Sequence, residues 1–189
     1  NLSGGSLQSM TNGAEGAFAF TASAGANFTI VPTKSADTPP SQGVTTLDIT
    51  LIRRHILGIA ALDSPYKLLA ADVNGSSSVT TLDITLIRRV ILGIADSFST
   101  GPWKFVRSDF SFSDPLRPWT FDSARTFTAL SSDMTGQDFI AIKSGDVNNS
   151  WTPASAATQS SVSSSSASLS AVSRWFADSN PQLNSAASV

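Results

Sequence analysis

Residues 72–94 read DVNGSSSVTTLDITLIRRVILGI and contain the clearest structural pattern in the chain. Its first twelve residues carry side-chain oxygens at positions one, three, five, nine and twelve. The apolar residues that follow recur at the spacing of one face of an α-helix. The pattern predicts an oxygen-rich loop that runs directly into a helix.

The same pattern occurs a second time in the chain. Residues 43–60 read GVTTLDITLIRRHILGIA and residues 78–95 read SVTTLDITLIRRVILGIA, so 16 of 18 positions agree at an offset of 35. Two copies are too few for a solenoid, which generally needs about three repeats or more. We therefore expect a pseudo-twofold pair in which each unit covers the apolar face of the other.

Each copy has the signals of a helix with two different sides. Residues 44–46 supply a capping hydroxyl, Asp48 suits the positive end of the helix dipole, and Gly58 suits the stop. Helical spacing predicts an inward side made of Ile49, Ile52, Ile56 and Ile59, repeated as Ile84, Ile87, Ile91 and Ile94. The opposite side carries Leu47, Thr50 and Arg54, repeated as Leu82, Thr85 and Arg89. An outward leucine beside an arginine in both copies indicates a contact surface, and an ordinary solvated face is the alternative.

The oxygen donors have the spacing of a calcium loop. A hard cation such as Ca²⁺ takes about six to eight oxygen ligands, and a loop of about twelve residues can supply them. In the second copy the predicted ligands are Asp72, Asn74, Ser76, Ser78 through its backbone carbonyl, Thr80 and Asp83. No soft ligand is present, so zinc and copper are poor candidates. The alternative is an Asp- and Asn-rich turn before an ordinary capped helix.

The first copy predicts a second calcium loop with a less regular donor set. Counting back from Asp48, the further predicted ligands are Asp37, Ser41, Gly43 and Thr45. Pro39 occupies position three, where a carbonyl or a water must serve.

A third fragment, GDVNNS at residues 145–150, repeats the start of the second loop through Asp146, Asn148 and Ser150. It forms a separate calcium site, caps the domain, or completes a shell begun elsewhere, and these alternatives stay open. We therefore predict two calcium sites and leave a third open.

Residues 34–96 resemble the dockerin domain, a duplicated calcium-binding module whose EF-hand-type loops lack the entering helix. The resemblance rests on the two VTTLDITLIRR units and on the oxygen spacing before them. It implies that loop positions ten, eleven, seventeen and eighteen bind a cohesin partner: Thr46, Leu47, Arg53 and Arg54 in the first copy, and Thr81, Leu82, Arg88 and Arg89 in the second. The chain departs from the family pattern at Pro39, and at Ser77, where glycine is usual.

The flanking segments resemble other parts of secreted bacterial multidomain proteins. Residues 16–34, GAFAFTASAGANFTIVPTK, resemble the end of a carboxypeptidase regulatory-like, immunoglobulin-type β-domain. Residues 64–74 and 138–150 resemble its usual companions. The resemblance implies an extracellular or cell-surface protein of a bacterium.

The remaining sequence predicts β-structure. Residues 17–22 and 26–31 alternate around SAGAN and predict a hairpin. Residues 102–142 contain the aromatic runs WKFV, DFSF and DFIAI, which predict strands. We expect the aromatic side chains to pack together: Trp103, Phe105, Phe110, Phe112, Trp119, Phe121, Phe127 and Phe139. A carbohydrate-stacking platform is the alternative.

Both ends of the chain suggest a role for strand exchange. The resembled β-domain has strands ahead of a segment such as residues 2–20, and the chain begins at Asn1 rather than Met, so we expect a processed chain or a fragment. A sheet that lacks its first strands has an open edge, to which another copy can add a strand. Residues 153–189 form a Ser/Ala-rich linker and tail, in which a donated strand and the stub of a longer protein are alternatives.

The composition argues against several functions. The 189 residues contain no cysteine, which removes disulfides and thiolate metal sites. A net charge of −2 argues against nucleic-acid binding, and no apolar run approaches the roughly 18 residues of a membrane span. His55 is the only histidine, and no catalytic or phosphate-binding motif is present, so we expect no enzymatic activity.

The sequence thus predicts an α+β fold in four parts. These are a partial immunoglobulin-like β-sandwich over 1–33, a dockerin-like calcium-binding pair over 34–97, a β-rich segment over 98–152, and a disordered or extended Ser/Ala-rich tail over 153–189. The predicted function is a non-catalytic, calcium-stabilised structural subunit of a surface or fibrous assembly, joined by strand addition. The alternative is a dockerin module that anchors a secreted enzyme to a cohesin-bearing scaffold.

Overall fold

The computed structural model describes residues 2–3, 8–11 and 16–153. In this part of the chain three helices occur: α1 Thr46–Ile56, α2 Pro65–Ala71 and α3 Thr81–Ile91. The strands are β1 Leu2–Ser3, β2 Phe28–Ile30, β3 Trp103–Arg107, β4 Arg125–Phe127 and β5 Phe139–Lys143. Helices combined with small antiparallel sheets give a mixed α+β architecture, as predicted.

Helices α1 and α3 begin in the same way because the repeat places the same residues at both starts. Thr45 and Thr80 are the N-caps, and the hydroxyl of each accepts a hydrogen bond from the backbone N–H two residues on. Asp48 and Asp83 accept hydrogen bonds from the N–H groups of those caps, which completes a capping box in each copy.

Both helices end earlier than the isoleucine pattern predicts. Gly58 has a φ of 67°, and its N–H donates to the carbonyl of His55, while the N–H of Ile59 donates to that of Arg54. This is a Schellman motif, and Gly93 ends α3 in the same way. The prediction that Ile59 and Ile94 point inward is wrong, because the left-handed glycine turns the chain away from the helix axis. These side chains are 65% and 63% exposed.

Helix α2, which the sequence pattern did not predict, leads into the second oxygen-rich loop. Ser64 caps it and Pro65 occupies its first turn, where the missing N–H costs nothing. Its residues Leu68 to Ala71 are buried, and the helix ends directly before Asp72. The start of the loop is therefore anchored to the core.

One apolar core joins the helices to the segment that follows them. Ile52 and Ile87, which are equivalent in the repeat, are both fully buried. They belong to the same cluster as Val106 of β3, Ile142 of β5 and the later residue Val147. The chain beyond α3 is thus packed into the core of the repeat pair.

The strands form two small antiparallel sheets. In the first, β2 lies between β1 and β4, with Phe28 opposite Phe127. In the second, β3 pairs with β5, from Trp103 opposite Lys143 to Arg107 opposite Phe139. The predicted hairpin of 17–22 with 26–31 is wrong, because both edges of β2 are already paired, with β1 and β4.

The aromatic runs divide between different parts of the fold. WKFV and DFIAI lie in β3 and β5 as predicted, but DFSF is not a strand, since Phe110 and Phe112 pack edge to face in a loop with their rings 5.1 Å apart. The expected single aromatic cluster is also wrong. Phe110, Phe112, Trp119 and Phe121 lie against the helical core, whereas Phe127 and Phe139 pack in a second cluster with Phe18, Phe20, Phe28 and Ile30.

Some predictions fall on residues for which no structure is described. The Ser/Ala-rich tail from residue 154 onward lies outside the described residues, as do residues 1, 4–7 and 12–15. The immunoglobulin-like sandwich predicted for 1–33 therefore stays a prediction. None of the helices in the described ranges has the length and apolar character needed to cross a membrane.

Candidate metal centres

The loop between α2 and α3 folds around the buried carboxylate of Asp72. Its Oδ1 accepts a hydrogen bond from the N–H of Ser76 at 2.9 Å, and its Oδ2 accepts one from the N–H of Ser77 at 2.9 Å. The side-chain oxygen of Asn74 accepts a further bond from the N–H of Ser76. Ser77 has a φ of 62°, the left-handed conformation for which the dockerin pattern uses glycine.

Asp83 closes this loop from the side of α3. It is fully buried, and its Oδ2 accepts hydrogen bonds from the N–H and the hydroxyl of Thr80 at 2.9 and 3.0 Å. Its Oδ1 accepts a bond from the N–H of Val73 at 3.1 Å. The hydroxyl of Ser76 reaches the carbonyl of Ser78 at 3.2 Å. The structure therefore gathers in one loop the predicted ligands Asp72, Asn74, Ser76, Ser78, Thr80 and Asp83.

A partly buried lysine from a distant strand lies beside this loop. Lys104 of β3 donates hydrogen bonds from Nζ to the carbonyls of Leu69 and Asp72. Burial lowers the pKa of Lys104, and the charges of Asp72 and Asp83 act in the opposite direction. Because Lys104 lies 32 residues from Asp72 in the chain, no local pattern could have indicated it.

In the first copy Asp48 takes the place of Asp83, but part of its surroundings comes from far along the chain. Its Oδ2 accepts hydrogen bonds from the N–H and the hydroxyl of Thr45 at 2.8 and 2.9 Å. Its Oδ1 accepts bonds from the N–H groups of Val147 and Asn148 at 2.9 and 3.2 Å. Val147 thus stands where Val73 stands in the second copy.

Residues 146–151 fold in the same manner as residues 72–77. The carboxylate of Asp146 accepts hydrogen bonds from the N–H groups of Ser150 at 3.0 Å and Trp151 at 2.8 Å. The side-chain oxygen of Asn148 accepts a bond from the N–H of Ser150 at 2.9 Å. The hydroxyl of Ser150 donates to the carbonyl of Gly43 at 2.9 Å, which connects this segment to the first copy.

Asp37, predicted at position one of the first loop, forms ion pairs with two lysines in the structure. Its Oδ1 pairs with Lys34 at 3.1 Å and its Oδ2 with Lys143 at 2.7 Å. Burial opposes the ionisation of Asp37, but the hydrogen bonds from Lys143 and Lys34 outweigh it, so the pKa of Asp37 is lowered. Ser41 lies in the turn before the helix, where its carbonyl accepts from the N–H of Val44.

Both groups of donors fit a hard cation. Each contains two buried carboxylates, one amide oxygen and hydroxyl or carbonyl oxygens, with neither nitrogen nor sulfur ligands. In the ranges that the structure describes, no three His, Cys, Asp or Glu residues gather, so each group has two acids. When bound, calcium would neutralise these two charges and join them to the neighbouring oxygens.

The electrostatics of the first group are unfavourable without a cation. Burial raises the pKa of Asp146, and the nearby charge of Asp48 raises it further. The backbone N–H groups of Trp151 and Ser150 offset this only in part. A positive charge between Asp48 and Asp146 would remove their repulsion.

The outer sides of α1 and α3 carry the residues expected to meet a partner. Leu47 and Leu82 are 53% and 55% exposed. The other members of the set are exposed as well: Thr46, Arg53, Arg54, Thr81, Arg88 and Arg89. Four more exposed apolar side chains lie at the helix ends: Leu57, Ile59, Leu92 and Ile94. Among the described residues, no acidic side chain pairs with any of the four arginines.

Comparison with known families agrees with this geometry for one part of the chain. Residues 37–96 match the family model of the dockerin type I domain. Such domains bind calcium through EF-hand-like loops, bind cohesin partners, and occur in secreted or cell-surface bacterial proteins. No curated protein and no solved structure shows significant similarity to the chain. The comparison therefore supports a dockerin-like, calcium-binding domain over residues 37–96.

Proposed function

We propose that the chain is a non-catalytic docking module of an extracellular bacterial protein, stabilised by calcium, that binds a cohesin-like partner. The observation that carries this proposal is the duplicated outer face. Leu47, Arg53 and Arg54 of α1 are exposed, and the equivalent residues of α3 are exposed in the same way. Solvent-exposed leucines beside unpaired arginines are typical of a binding surface.

Calcium would act on this face through the helix starts. Asp48 and Asp83 each complete a capping box in the first turn of a helix and also belong to a proposed metal loop, so an ion that orders the loop would also order that turn. At a free calcium concentration about one hundred times the dissociation constant, each occupied site adds about 2.7 kcal/mol of stability. The face is therefore expected to be well ordered only with calcium.

A binding experiment with cohesin domains tests the proposal. A panel of cohesins is immobilised, and association of the chain is measured by biolayer interferometry in calcium and in EGTA. Because the two faces carry the same residues, we expect Leu47→Asp and Leu82→Asp to be tolerated singly and to weaken binding at least about tenfold when combined. Leu116→Asp, at a residue that is 74% exposed and outside both faces, is the matched control. Absence of any calcium-dependent cohesin binding contradicts the proposal.

A second candidate is self-assembly by strand addition, as a subunit of a surface or fibrous structure. The supporting observation is an open groove beside the first sheet, lined in part by Met10, Phe18, Phe20, Ile30 and Phe139. Strand β1, at the edge of that sheet, has two residues. An extended segment of another copy could pair along this edge and fill the groove.

Light scattering coupled to size-exclusion chromatography tests the second candidate. Large assemblies of the purified chain without any cohesin support strand addition, and a monomer in calcium contradicts it.

Carbohydrate binding has less support than either candidate. The ring of Trp103 is nearly buried and packs edge to face on Trp151, with the ring centroids 4.8 Å apart, so it offers no open platform.

A further inference from the structure

We propose that residues 146–151, although distant in the chain, supply the missing ligands of the first calcium site. One ion would then link the segment after β5 to the start of α1. The site would take a hard divalent cation and draw its ligands from two parts of the chain that lie about 100 residues apart. This inference rests on the calcium binding in the proposed function. It extends that function to residues beyond the matched domain.

The second loop and the proposed first site correspond hydrogen bond by hydrogen bond. Five hydrogen bonds of the second loop have a counterpart in the first site. The donor–acceptor distances differ most for the serine hydroxyl bond, which is 3.2 Å in the second loop and 2.9 Å in the first site. In the second loop they join Ser76 N–H to Asp72 and to Asn74, Ser77 N–H to Asp72, the Ser76 hydroxyl to the Ser78 carbonyl, and Val73 N–H to Asp83. In the first site they join Ser150 N–H to Asp146 and to Asn148, Trp151 N–H to Asp146, the Ser150 hydroxyl to the Gly43 carbonyl, and Val147 N–H to Asp48.

The fold also holds residues 146–151 in place. The N–H of Ser144 donates to the carbonyl of Pro102, and the N–H of Gly145 donates to the carbonyl of Ala70. Gly145 has a φ of 89°, and a Cβ there would lie 3.0 Å from the side chain of Val44. At the far end, Gln42 donates from Nε2 to the carbonyl of Thr152 at 2.7 Å. The segment is thus anchored on both sides of the proposed ligands.

The position of residues 146–151 also explains one of the two differences within the repeat. Gly43 stands where the second copy has Ser78. A Cβ on Gly43 would lie 2.6 Å from the Cβ of Trp151 and 2.7 Å from its Cα. In the second copy the residue at position six, Ser77, is followed in the chain by Ser78 at position seven. In the first site the residue equivalent to Ser77 is Trp151, which is distant in the chain and packs directly against Gly43 at position seven. Glycine is therefore required in one copy only.

The inference changes which residues the domain needs. Asp37 is paired with two lysines, so position one of the first site is assigned to Asp146. Asn148 and Ser150 follow at positions three and five, and Gly43, Thr45 and Asp48 supply the later positions. Calcium would then fasten the end of the second sheet to the repeat pair.

Calcium titration of the full chain by isothermal calorimetry tests the inference. We expect two ions per chain for the unaltered protein. Asp146→Asn should remove one ion, or weaken one site at least about tenfold, since even the loss of a residue outside the first coordination shell commonly weakens metal binding about 10- to 100-fold. Asp37→Asn is the matched control, because it removes the position-one acid of the continuous loop, and two ions should still bind.

A second pair of variants keeps the test decisive if either aspartate variant fails to fold. Ser150→Ala removes the hydroxyl at position five of the proposed first site. Ser41→Ala removes the hydroxyl at position five of the continuous loop over residues 37–48. The inference requires the first variant to weaken one site and the second to leave both unchanged. The inference is overturned if Ser41→Ala loses an ion while Ser150→Ala retains two. It is equally overturned if Asp37→Asn loses an ion while Asp146→Asn retains two. Because the titration uses calcium alone, its outcome is independent of whether any cohesin binds.

Discussion

At the scale of single residues, backbone conformation decides how the metal loops turn. Ser77 and Asn149 have φ values of 62° and 56°, in the left-handed region that disfavours most L-residues. Ser77 is held there by the hydrogen bond from its N–H to Asp72. The loop therefore keeps a serine where glycine would fit with less strain.

Ser77→Gly is expected to stabilise the chain by about 0.5–1 kcal/mol, because relief of left-handed strain exceeds the entropy that glycine adds to the unfolded state. Ser78→Gly is the matched control. Ser78 is not among the residues with positive φ, so glycine there should destabilise by about 0.5–1 kcal/mol. Urea unfolding in EGTA measures both. Equal destabilisation by the two variants would contradict the role given to the φ of Ser77.

A second residue-scale feature is the ion-pair group around Asp109. Arg107 donates hydrogen bonds to its carboxylate, and Arg125 donates two more. The hydrogen bond from Arg107 is the main cause that holds the pKa of Asp109 down to about 2, and Arg125 contributes as well. Arg125 is itself buried, so this exposed acid balances a buried charge.

The lowered pKa of Asp109 predicts a specific dependence of stability on pH. Its contribution is fully present above the unfolded pKa of 3.8 and is lost as pH falls toward the folded value of about 2. The free energy of unfolding should therefore fall less steeply for Asp109→Asn than for the unaltered chain between those two values. Urea titrations over this range measure it. Asp114→Asn, which removes an exposed pair at 4.0 Å, should follow the unaltered chain.

At the scale of secondary structure, the apolar pattern of the two repeat helices predicts their starts better than their ends. Thr45 and Thr80 define the helix starts through hydrogen bonds within three residues, so sequence suffices to locate them. The ends depend on Gly58 and Gly93, and the isoleucines just beyond them leave the apolar face. The exposed Ile59 and Ile94 then become available to the outer surface.

Alanine substitutions of Ile52 in α1 and Ile59 in its C-terminal turn test whether the apolar face ends before Gly58. Ile52→Ala should cost about 2–5 kcal/mol, because the side chain is fully buried against α3 and the core. Ile59→Ala is the matched control and should change stability by at most about 0.5 kcal/mol, because that side chain is 65% exposed. Urea unfolding in saturating calcium provides the comparison. Similar costs at both positions would show that Ile59 is buried after all.

At the scale of the whole molecule, calcium would link parts that the chain order separates. The second loop lies between α2 and α3, whereas the proposed first site joins α1 to the segment after β5. The chain contains no cysteine, so no disulfide can make this connection. Metal binding at the proposed first site would add a link to the apolar core, which already holds the end of the fold.

Removal of calcium should therefore lower the melting temperature of the whole chain. With two sites at about one hundred times their dissociation constants, the loss is roughly 5 kcal/mol, or on the order of 10–20 °C for a chain of this size. Differential scanning calorimetry in calcium and in EGTA measures the shift, and Asp146→Asn should show about half of it. An identical melting temperature under both conditions would contradict a stabilising role for calcium.

Much of the candidate site could be predicted from sequence, and the part that could not has a clear cause. The ligands from Asp72 to Asp83 lie within one short loop, where spacing along the chain determines proximity. Counting back from Asp48 selects Asp37 because it assumes a continuous loop, whereas the pairing of Asp37 with Lys143, 106 residues away, lies outside any such pattern. The likeness of residues 145–150 to residues 71–76 indicates a related fragment, but it does not indicate which part of the chain that fragment meets.

The duplicated helices, their capped starts, the chemistry of the oxygen donors and the repeated Leu/Arg face all follow from the order of residues along the chain. These features depend on interactions between residues a few positions apart, which composition and spacing encode directly. Three other features come from the packing of distant segments: residues 146–151 contact Asp48, Asp37 pairs with Lys34 and Lys143, and both edges of β2 are paired. Those outcomes depend on which distant segments the shared core and the pairing of β3 with β5 bring together, and the local pattern of the chain carries no measure of that distance.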